Sequence, residues 1–537
     1  MAWVERKKLM AQLTFALRFG YSDGTTMAVV GYSLSSTDIV IALSVGGGVT
    51  LNGMAQLGTD DPNLSATMPE AMFVDSDTLS SLTASTEYSY TATQGANSIT
   101  GTFRTAPEAA DDFSFFVGTC DNVSSLGGDA AGMYTHIKDY MQNGALPTAC
   151  LIHLDDHYGY VDRNAVDDTA GTGHRILESA ADARDSATVY DYAVGVAANL
   201  GLYSDAGDPY VAGGHDTDRQ YVFGNLPVWP QWGDHDLGAN NMGWDVAIDG
   251  AGGPPTSTTQ YTNAKAVWDK VLLPLQPTAI DGANSNAWGA NLGCTYIAAM
   301  DGVSTASGNG TVEAAPTTLF GATQIASVLS GLNNTQPFKI LGLANGIRYL
   351  TEGVGTFTEN SSGSQLPIAL HATEYQALFT DNNALMDLPQ TNGKQGTFLT
   401  VHGDYHGLKM QKNLGTNGTH DEWFYSINSG TLTGAINFKK IPASTTPYEA
   451  IAGEISTVEY SDGSPSGTGD NQHNYWALRF DVYGSRYPKE LHVYLLDKTN
   501  TEVFSRKFVH QITGNECVTI NTVTSDKKSS MSIDGIE

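Results

Sequence analysis

Positive charge is scarce in this sequence: 27 Lys and Arg stand against 57 Asp and Glu in 537 residues, a formal net charge of −30. Nucleic-acid phosphates are held by a basic surface, so the balance argues against nucleic acid as a partner. An anionic substrate would have to be drawn in by something locally positive, such as bound metal. Charged residues of both signs make up only 16%, against about 25% in ordinary globular domains. Most of them are acidic, a texture that suits a loop-rich extracellular protein. Cysteine is scarce too. Cys120, Cys150, Cys294 and Cys517 form no CxxC zinc motif and no evident disulfide framework, so they leave the redox compartment open. No run approaches about 18 apolar residues, the length needed to cross a membrane.

Material for a core is ample. Apolar residues make up 41%, with 8 Trp, 25 Tyr and 18 Phe, which argues against disorder despite 58 Gly. The length fits either three to four domains or one large domain with decorations. The opening MAWVERKKLMAQLTFALRFG carries a basic cluster at Arg6–Lys8, but Gln12, Thr14 and Arg18 interrupt the apolar stretch after it. It reads as a first strand rather than a signal peptide. Residues 1–108 are β in pattern throughout, an N-terminal sandwich domain. Their clearest piece is a hairpin, Leu82–Tyr90 and Ile99–Thr105 around a Gln94–Asn97 turn. The spacing of Leu82, Thr86 and Tyr88 resembles the corner between two strands of a fibronectin-type sandwich. A linker comes next at Ala106–Asp112.

From residue 113 the texture changes. Short apolar runs at Phe113–Val117, Ala149–Leu154, Val228–Trp232, Phe338–Leu343 and Thr397–His402 alternate with segments of helical period. Ala322–Leu332 is the clearest helix, with Ile325, Val328, Leu329 and Leu332 on one face; Tyr261–Leu275 and Ala372–Thr380 are others. Buried strands separated by helices indicate an α/β layered core over residues 109–515. Strand character returns at Tyr475–Tyr483, Leu491–Leu496 and Thr501–Val509, and residues 516–537 read as a tail frayed from Thr522.

Four segments place metal-capable side chains just past the end of a core strand. They are Gly118-Thr-Cys120-Asp-Asn, His153-Leu-Asp155-Asp156-His157-Tyr158-Gly159, Trp232-Gly-Asp234-His235-Asp236 and His402-Gly-Asp404-Tyr-His406-Gly407. Ligands gather where the strands of α/β sheets end. Singly, each segment has an ordinary reading: a buried Cys120, an Asp155-Asp156 turn, a surface charge cluster at His235, a solvated loop at Asp404. Together, and in one order, they point to a site.

In that order the chain resembles the PhoD-like alkaline phosphatases and phosphodiesterases, a branch of the calcineurin-like metallophosphoesterases. The residues that carry the resemblance are Thr119-Cys120, Asp155-Asp-His-Tyr158, Trp232-Gly-Asp-His-Asp236 with Asn240-Asn241, and Gly403-Asp-Tyr-His406. Weaker echoes are Leu319–Gln324, Trp268 and Phe424–Gly430. The resemblance implies a four-layer αββα core behind a fibronectin-like β-sandwich. It also implies Fe(III) and Ca²⁺ held by Cys120, Asp155 or Asp156, Tyr158, Asp234, Asn241 (or Asn240), Asp404 and His406. Tyr158 falls three residues after Asp155, as the family motif requires, and Gly159 three after Asp156; the register stays open. Two departures stand out. The family's Asp-x-Arg reads Asp301-Gly-Val-Ser here, which removes a phosphate-binding arginine, and no twin-arginine export signal is present.

Hydrolysis of a phosphate ester requires neutralised phosphoryl oxygens, a hydroxide at neutral pH and a proton for the leaving oxygen. Two metals about 3.5–4 Å apart supply the first two. Thiolate and phenolate suit a transition metal, while carboxylate and amide oxygens suit calcium. His235 between Asp234 and Asp236 is placed as general acid, and the carboxylates favour its charged form. The expectation is therefore an extracellular, periplasmic or surface-displayed phosphatase acting on phosphate mono- or diesters, with His235 and Asp236 as catalytic residues. The competing expectation is a non-catalytic adhesive or structural protein of a cell surface or virion that keeps the fold, with or without calcium.

Overall fold

The computed structural model describes residues 13–58, 72–119, 121, 132–154, 157, 189–202, 217–233, 236, 259–282, 286–302, 304, 320–343, 357–358, 365–366, 397–402, 409–414, 423–428, 432, 448–449, 455–461, 476–497, 502–513 and 516–526.

The N-terminal strands are β1 (Phe15–Phe19), β2 (Met27–Ser33), β3 (Ile39–Leu43), β4 (Val49–Leu51), β5 (Ala55–Leu57), β6 (Met72–Leu79), β7 (Glu87–Gln94) and β8 (Asn97–Arg104). They form two four-stranded sheets, ordered β1-β2-β6-β5 and β4-β3-β7-β8. Alternation dictates this: in β7, Tyr88, Tyr90 and Ala92 turn inward while Glu87, Ser89 and Thr91 face solvent. The inward side chains of both sheets, among them Phe15, Leu17, Phe19, Ile39, Tyr88 and Phe103, share one apolar core. Tyr88 closes the corner that its spacing suggests, its hydroxyl accepting the Thr83 N–H at 2.8 Å.

The next elements are β9 (Asp112–Gly118), α1 (Tyr134–Asn143), β10 (Thr148–His153), α2 (Val189–Asn199), α3 (Thr217–Asn225), β11 (Val228–Pro230), α4 (Thr259–Val271), β12 (Trp288–Leu292), β13 (Thr295–Met300), α5 (Ala322–Leu332) and β14 (Phe338–Leu343). Beyond them lie β15 (Phe357–Thr358), β16 (Gln365–Leu366), β17 (Thr397–His402), β18 (Lys409–Leu414), β19 (Trp423–Asn428), β20 (Tyr448–Glu449), β21 (Ile455–Ser461), β22 (Trp476–Tyr483), β23 (Lys489–Asp497), β24 (Glu502–Thr513) and β25 (Glu516–Asp526). One mixed sheet runs β11-β10-β9-β22-β23-β24-β25 and a second runs β12-β13-β14-β17-β19-β18-β21-β20. Strands buried on both faces, such as FKILGL in β14, are what a covered parallel sheet requires. Phe115, Ile152 and Phe480 of the first sheet meet Ile297, Ile340 and Val401 of the second in one continuous core. On the other face of the first sheet, Leu151 packs with Ile137 of α1 and Val222 and Phe223 of α3.

The core strands and α5 fall where the hydrophobic pattern puts them. The buried stripe of α5 is Gln324, Val328 and Leu332, with Ile325 and Leu329 half-buried beside it. Tyr261–Leu275 divides into α4 and a short 3-10 turn at Leu273–Leu275, set by Pro274. Ala372–Thr380 lies outside the described residues. The expected frayed tail is corrected at its start: residues 516–526 form β25, paired antiparallel along β24 from Thr513↔Glu516 to Phe504↔Asp526.

The two N-terminal sheets are seated on the rest of the chain. The outer face of its first sheet, through Ala16, Val30, Tyr32, Met72 and Val74, shares a core with α2 and α4 around Trp268 and Trp232. Tyr32 donates to the Val271 carbonyl and Tyr90 to the Gly224 carbonyl, each at 2.8 Å. Gly20 lies so close to Leu275 that a Cβ there would stand 2.4 Å from the Leu275 Cα.

Candidate metal centre

The four motif-bearing strands end together. In the first sheet β9, β10 and β11 are parallel, with Gly118, His153 and Pro230 in register at their last residues. In the second, β13, β14, β17 and β19 are parallel, with Met300, Leu343, His402 and Asn428 in register. The two sets of ends also meet across the stack. Trp232, past β11, donates its indole N–H to Asp301 past β13 at 3.0 Å. Leu432, past β19, donates its N–H to the Thr119 carbonyl at 2.9 Å. A Cβ on Gly342 would stand 2.9 Å from the Leu154 side chain. Every candidate segment therefore leaves from one edge of the two-sheet stack, where α/β folds build sites.

Of the residues singled out from the sequence, Cys120, Asp155, Asp156, Tyr158, Asp234, His235, Asn241, Asp404 and His406 lie outside the described residues. Asp236 is described and fully buried, and its carboxylate joins two of the segments. Oδ1 accepts the His157 N–H at 2.6 Å and Oδ2 accepts the Gly233 N–H at 3.0 Å. It thus ties the loop after β10 to the loop after β11.

His157 sits beneath those loops. Its Nε2 lies 3.0 Å from the Gln231 carbonyl, and its ring packs edge-on against His153 and Trp268 at 4.0 and 5.4 Å between centroids. Burial, then the neighbouring His153, holds its pKa well below the ordinary value. Held neutral by burial, the ring donates from Nε2 to that carbonyl. Burial lowers His153 in the same way, with Arg18 and Arg219 adding to it.

Two carboxylates of this framework, Asp301 and Asp121, have partners that the sequence does not reveal. Asp301 accepts from Trp232, from the Asn286 N–H at 2.8 Å and from the Ser304 N–H at 2.8 Å, and Gln324 holds its backbone through both amide atoms. Asp301 is thus a hub that braces the Trp232 loop. Asp121, next to Cys120, is forked by Arg219 of α3 and accepts a hydrogen bond from the Tyr134 hydroxyl at 2.7 Å. Nothing local in the sequence pairs Asp121 with Arg219, 98 residues away.

Among the described residues no group of three or more His, Cys, Asp or Glu gathers as a metal site. Thiol, phenol, carboxylate and imidazole donors come directly after strand ends that the sheets align, a set suited to one transition metal and one harder cation. At the same edge both ring nitrogens of His153 and both amide atoms of Gln231 are buried without a hydrogen-bond partner among the described residues, polar capacity that a buried site leaves for water or a ligand.

The fold belongs to the α/β class, with two mixed sheets packed face to face. A solved structure described as the structure of PhoD shares it, with a TM-score of 0.58 and 14% identity over 96% of this chain and 92% of that one. No protein-family model and no curated protein matches the chain. The likeness is one of fold.

Proposed function

We propose that the chain is a metal-dependent phosphoesterase of the PhoD type, acting on phosphate mono- or diesters outside the cell. The observation that supports this reading most is the alignment of β9, β10, β11 and β17 at one edge, since each is followed directly by a motif segment. Its fold likeness to PhoD over nearly the whole of both chains agrees with it. Cys120, Asp155 or Asp156, Tyr158, Asp234, Asn241, Asp404 and His406 would hold the metals, iron and calcium. Bound there, the metals supply charge for the phosphoryl oxygens and a nucleophile at neutral pH.

The chain's own residues do the rest. His235 protonates the leaving oxygen, and Asp234 and Asp236 beside it in sequence favour its charged form. Asp236 contributes by position, since its carboxylate is committed to two backbone amides. Trp232, braced by Asp301, anchors the chain two residues before Asp234. A panel of matched alkyl and nitrophenyl mono- and diesters, assayed with and without iron and calcium, tests the reading. Metal-dependent turnover of at least one ester class supports it, and no turnover by a folded, metal-loaded protein contradicts it.

A further inference from the structure

Arg18 is 2% exposed and lies at the seam between the first N-terminal sheet and the rest of the chain. In β1, Phe15, Leu17 and Phe19 point into the core between the two N-terminal sheets, so Ala16 and Arg18 face the other way. The Arg18 guanidinium lies 4.0 Å from the ring centroid of Phe223 in α3. A cation over a ring face is attracted to it, but its N–H groups gain no oxygen acceptor there. Among the described residues its Nε has no hydrogen-bond partner and no carboxylate pairs with it. Asp121, buried in the same region, is taken on both oxygens by Arg219, whose guanidinium lies 5.0 Å from the same Phe223 ring. Two guanidinium groups and one carboxylate are thus buried around Phe223, and one positive charge is left over. Unbalanced, a buried charge is strongly destabilising.

A second set of unfilled polar atoms faces this region. His153 is 1% exposed, and among the described residues neither ring nitrogen has a hydrogen-bond partner. Ile152 and Leu154 belong to the core between the large sheets, so Leu151 and His153 share the opposite face of β10. Two runs of packed side chains join that face to Arg18. Leu151 lies in one cluster with Phe223, on which Arg18 stacks. His153 packs against His157, and His157 against Trp268. Trp268 in turn shares a cluster with Ala16, which lies on the same face of β1 as Arg18, and with Val30, the register partner of Arg18. The electrostatic action of Arg18 on His153 agrees with this proximity.

We propose that Arg18 and His153 bind a small monovalent anion of the chloride type, buried between the first N-terminal sheet and the end of β10. Arg18 supplies the charge and several N–H donors, and a ring N–H of His153 adds one more. One negative charge is what the region lacks. Burial selects for it as well, because the desolvation cost of an ion grows with the square of its charge and so weighs against sulfate or phosphate. The seating of the N-terminal sheets then depends on the anion. The proposal stands apart from the phosphoesterase reading, and its test needs no activity.

The test is the thermal midpoint of the full-length protein, titrated with sodium chloride at constant ionic strength with gluconate as the balance. Constant ionic strength matters because a chain of net charge −30 responds to salt in general. The wild type should show a saturable rise of about 2 °C or more, with bromide acting like chloride. Arg18→Met should lose the dependence and melt in gluconate at or above the wild-type midpoint. Should it fail to fold, Arg18→Gln takes its place with the same loss of dependence. His153→Phe should weaken the apparent chloride affinity by about 10-fold or more, and the exposed control Arg486→Met should leave it unchanged. In crystals grown with bromide, an anomalous peak should touch the Arg18 guanidinium. A wild-type midpoint indifferent to chloride overturns the proposal, as does a dependence that survives in Arg18→Met or a water in place of bromide. A larger Arg18-dependent rise with sulfate than with chloride also overturns it, since the site would then take divalent oxyanions.

Discussion

Asp236 holds His157 by its backbone, accepting the His157 N–H at 2.6 Å across the gap between the β10 and β11 loops. With the Gly233 N–H on its other oxygen, one carboxylate fixes the relative height of two segments that carry candidate ligands. Asp236→Ala leaves both amides buried without an acceptor, at a cost of about 1–3 kcal/mol for each. The variant should unfold at lower temperature and denaturant concentration. It should also retain less metal than wild type if the candidate ligands next to His157 and Gly233 in sequence bind metal, because those two backbones would no longer be tied together. Wild-type stability would show that the two amides find other partners.

Cys120 and Tyr158 are expected to give the iron a visible charge-transfer band. Cys120→Ala should lower iron content and abolish the thiolate part of that absorption, and Tyr158→Phe should weaken the phenolate part with the fold intact. Iron content that survives Cys120→Ala returns Cys120 to the role of a core residue.

His235 is tested by its leaving groups. An alkoxide needs a proton to depart, whereas nitrophenolate does not. General acid catalysis contributes about 10²–10⁴-fold, so His235→Ala should cost much of that range on glycerol phosphate and far less on nitrophenyl phosphate, with metals retained. Equal losses on both substrates would make His235 a residue that orients phosphate. Loss of metal along with activity would make it a ligand or a support. His157, the next candidate for the acid, is buried and donates toward a carbonyl, which leaves it poorly placed for that task.

Acid stability should depend on His510, whose ring packs edge-on against Phe338 at 6.2 Å between centroids. Burial first, then Lys339 and Lys489, lowers its pKa from 6.5 to about 4. The unfolded chain therefore takes up this proton as pH falls through 6.5, while the folded chain does so only near 4. Stability contributed by the neutral ring is whole above about pH 7 and declines between roughly 6.5 and 4. Because the group is partly exposed, the slope should be below about 1 kcal/mol per pH unit. His510→Gln should flatten stability over that window, as denaturant midpoints on either side of it, at about pH 4.5 and about pH 7.5, would show. An unchanged pH profile would place the acid sensitivity elsewhere.

Much of the architecture was legible because the strands that build it are buried on both faces. Runs such as Phe113–Val117 and Phe338–Leu343 have no polar alternation to blur them, and they became β9 and β14. Tyr88 was legible through its spacing to Leu82, a local feature with a local hydrogen bond. The last strand was not: ECVTINTVTSD alternates, but its Thr, Ser and Asp side chains read as a polar tail, and pairing with β24 is what makes it a strand. At the candidate centre, strand ends could be read as short apolar runs closing on Gly, Asp and His. The partners of Asp121, Asp236 and Asp301 could not, because each is fixed by residues brought in from a different element. Arg18 is the extreme case, a basic residue in an apolar strand whose meaning depends on α3, a helix far along the chain.

The central claim, that this fold carries a metal-dependent phosphoesterase centre, is tested most directly by elemental analysis of the purified, folded protein. About two metals per chain, iron among them, is the expected result. A stably folded chain that holds neither iron nor any second metal would contradict it and favour a structural or adhesive protein built on the same fold.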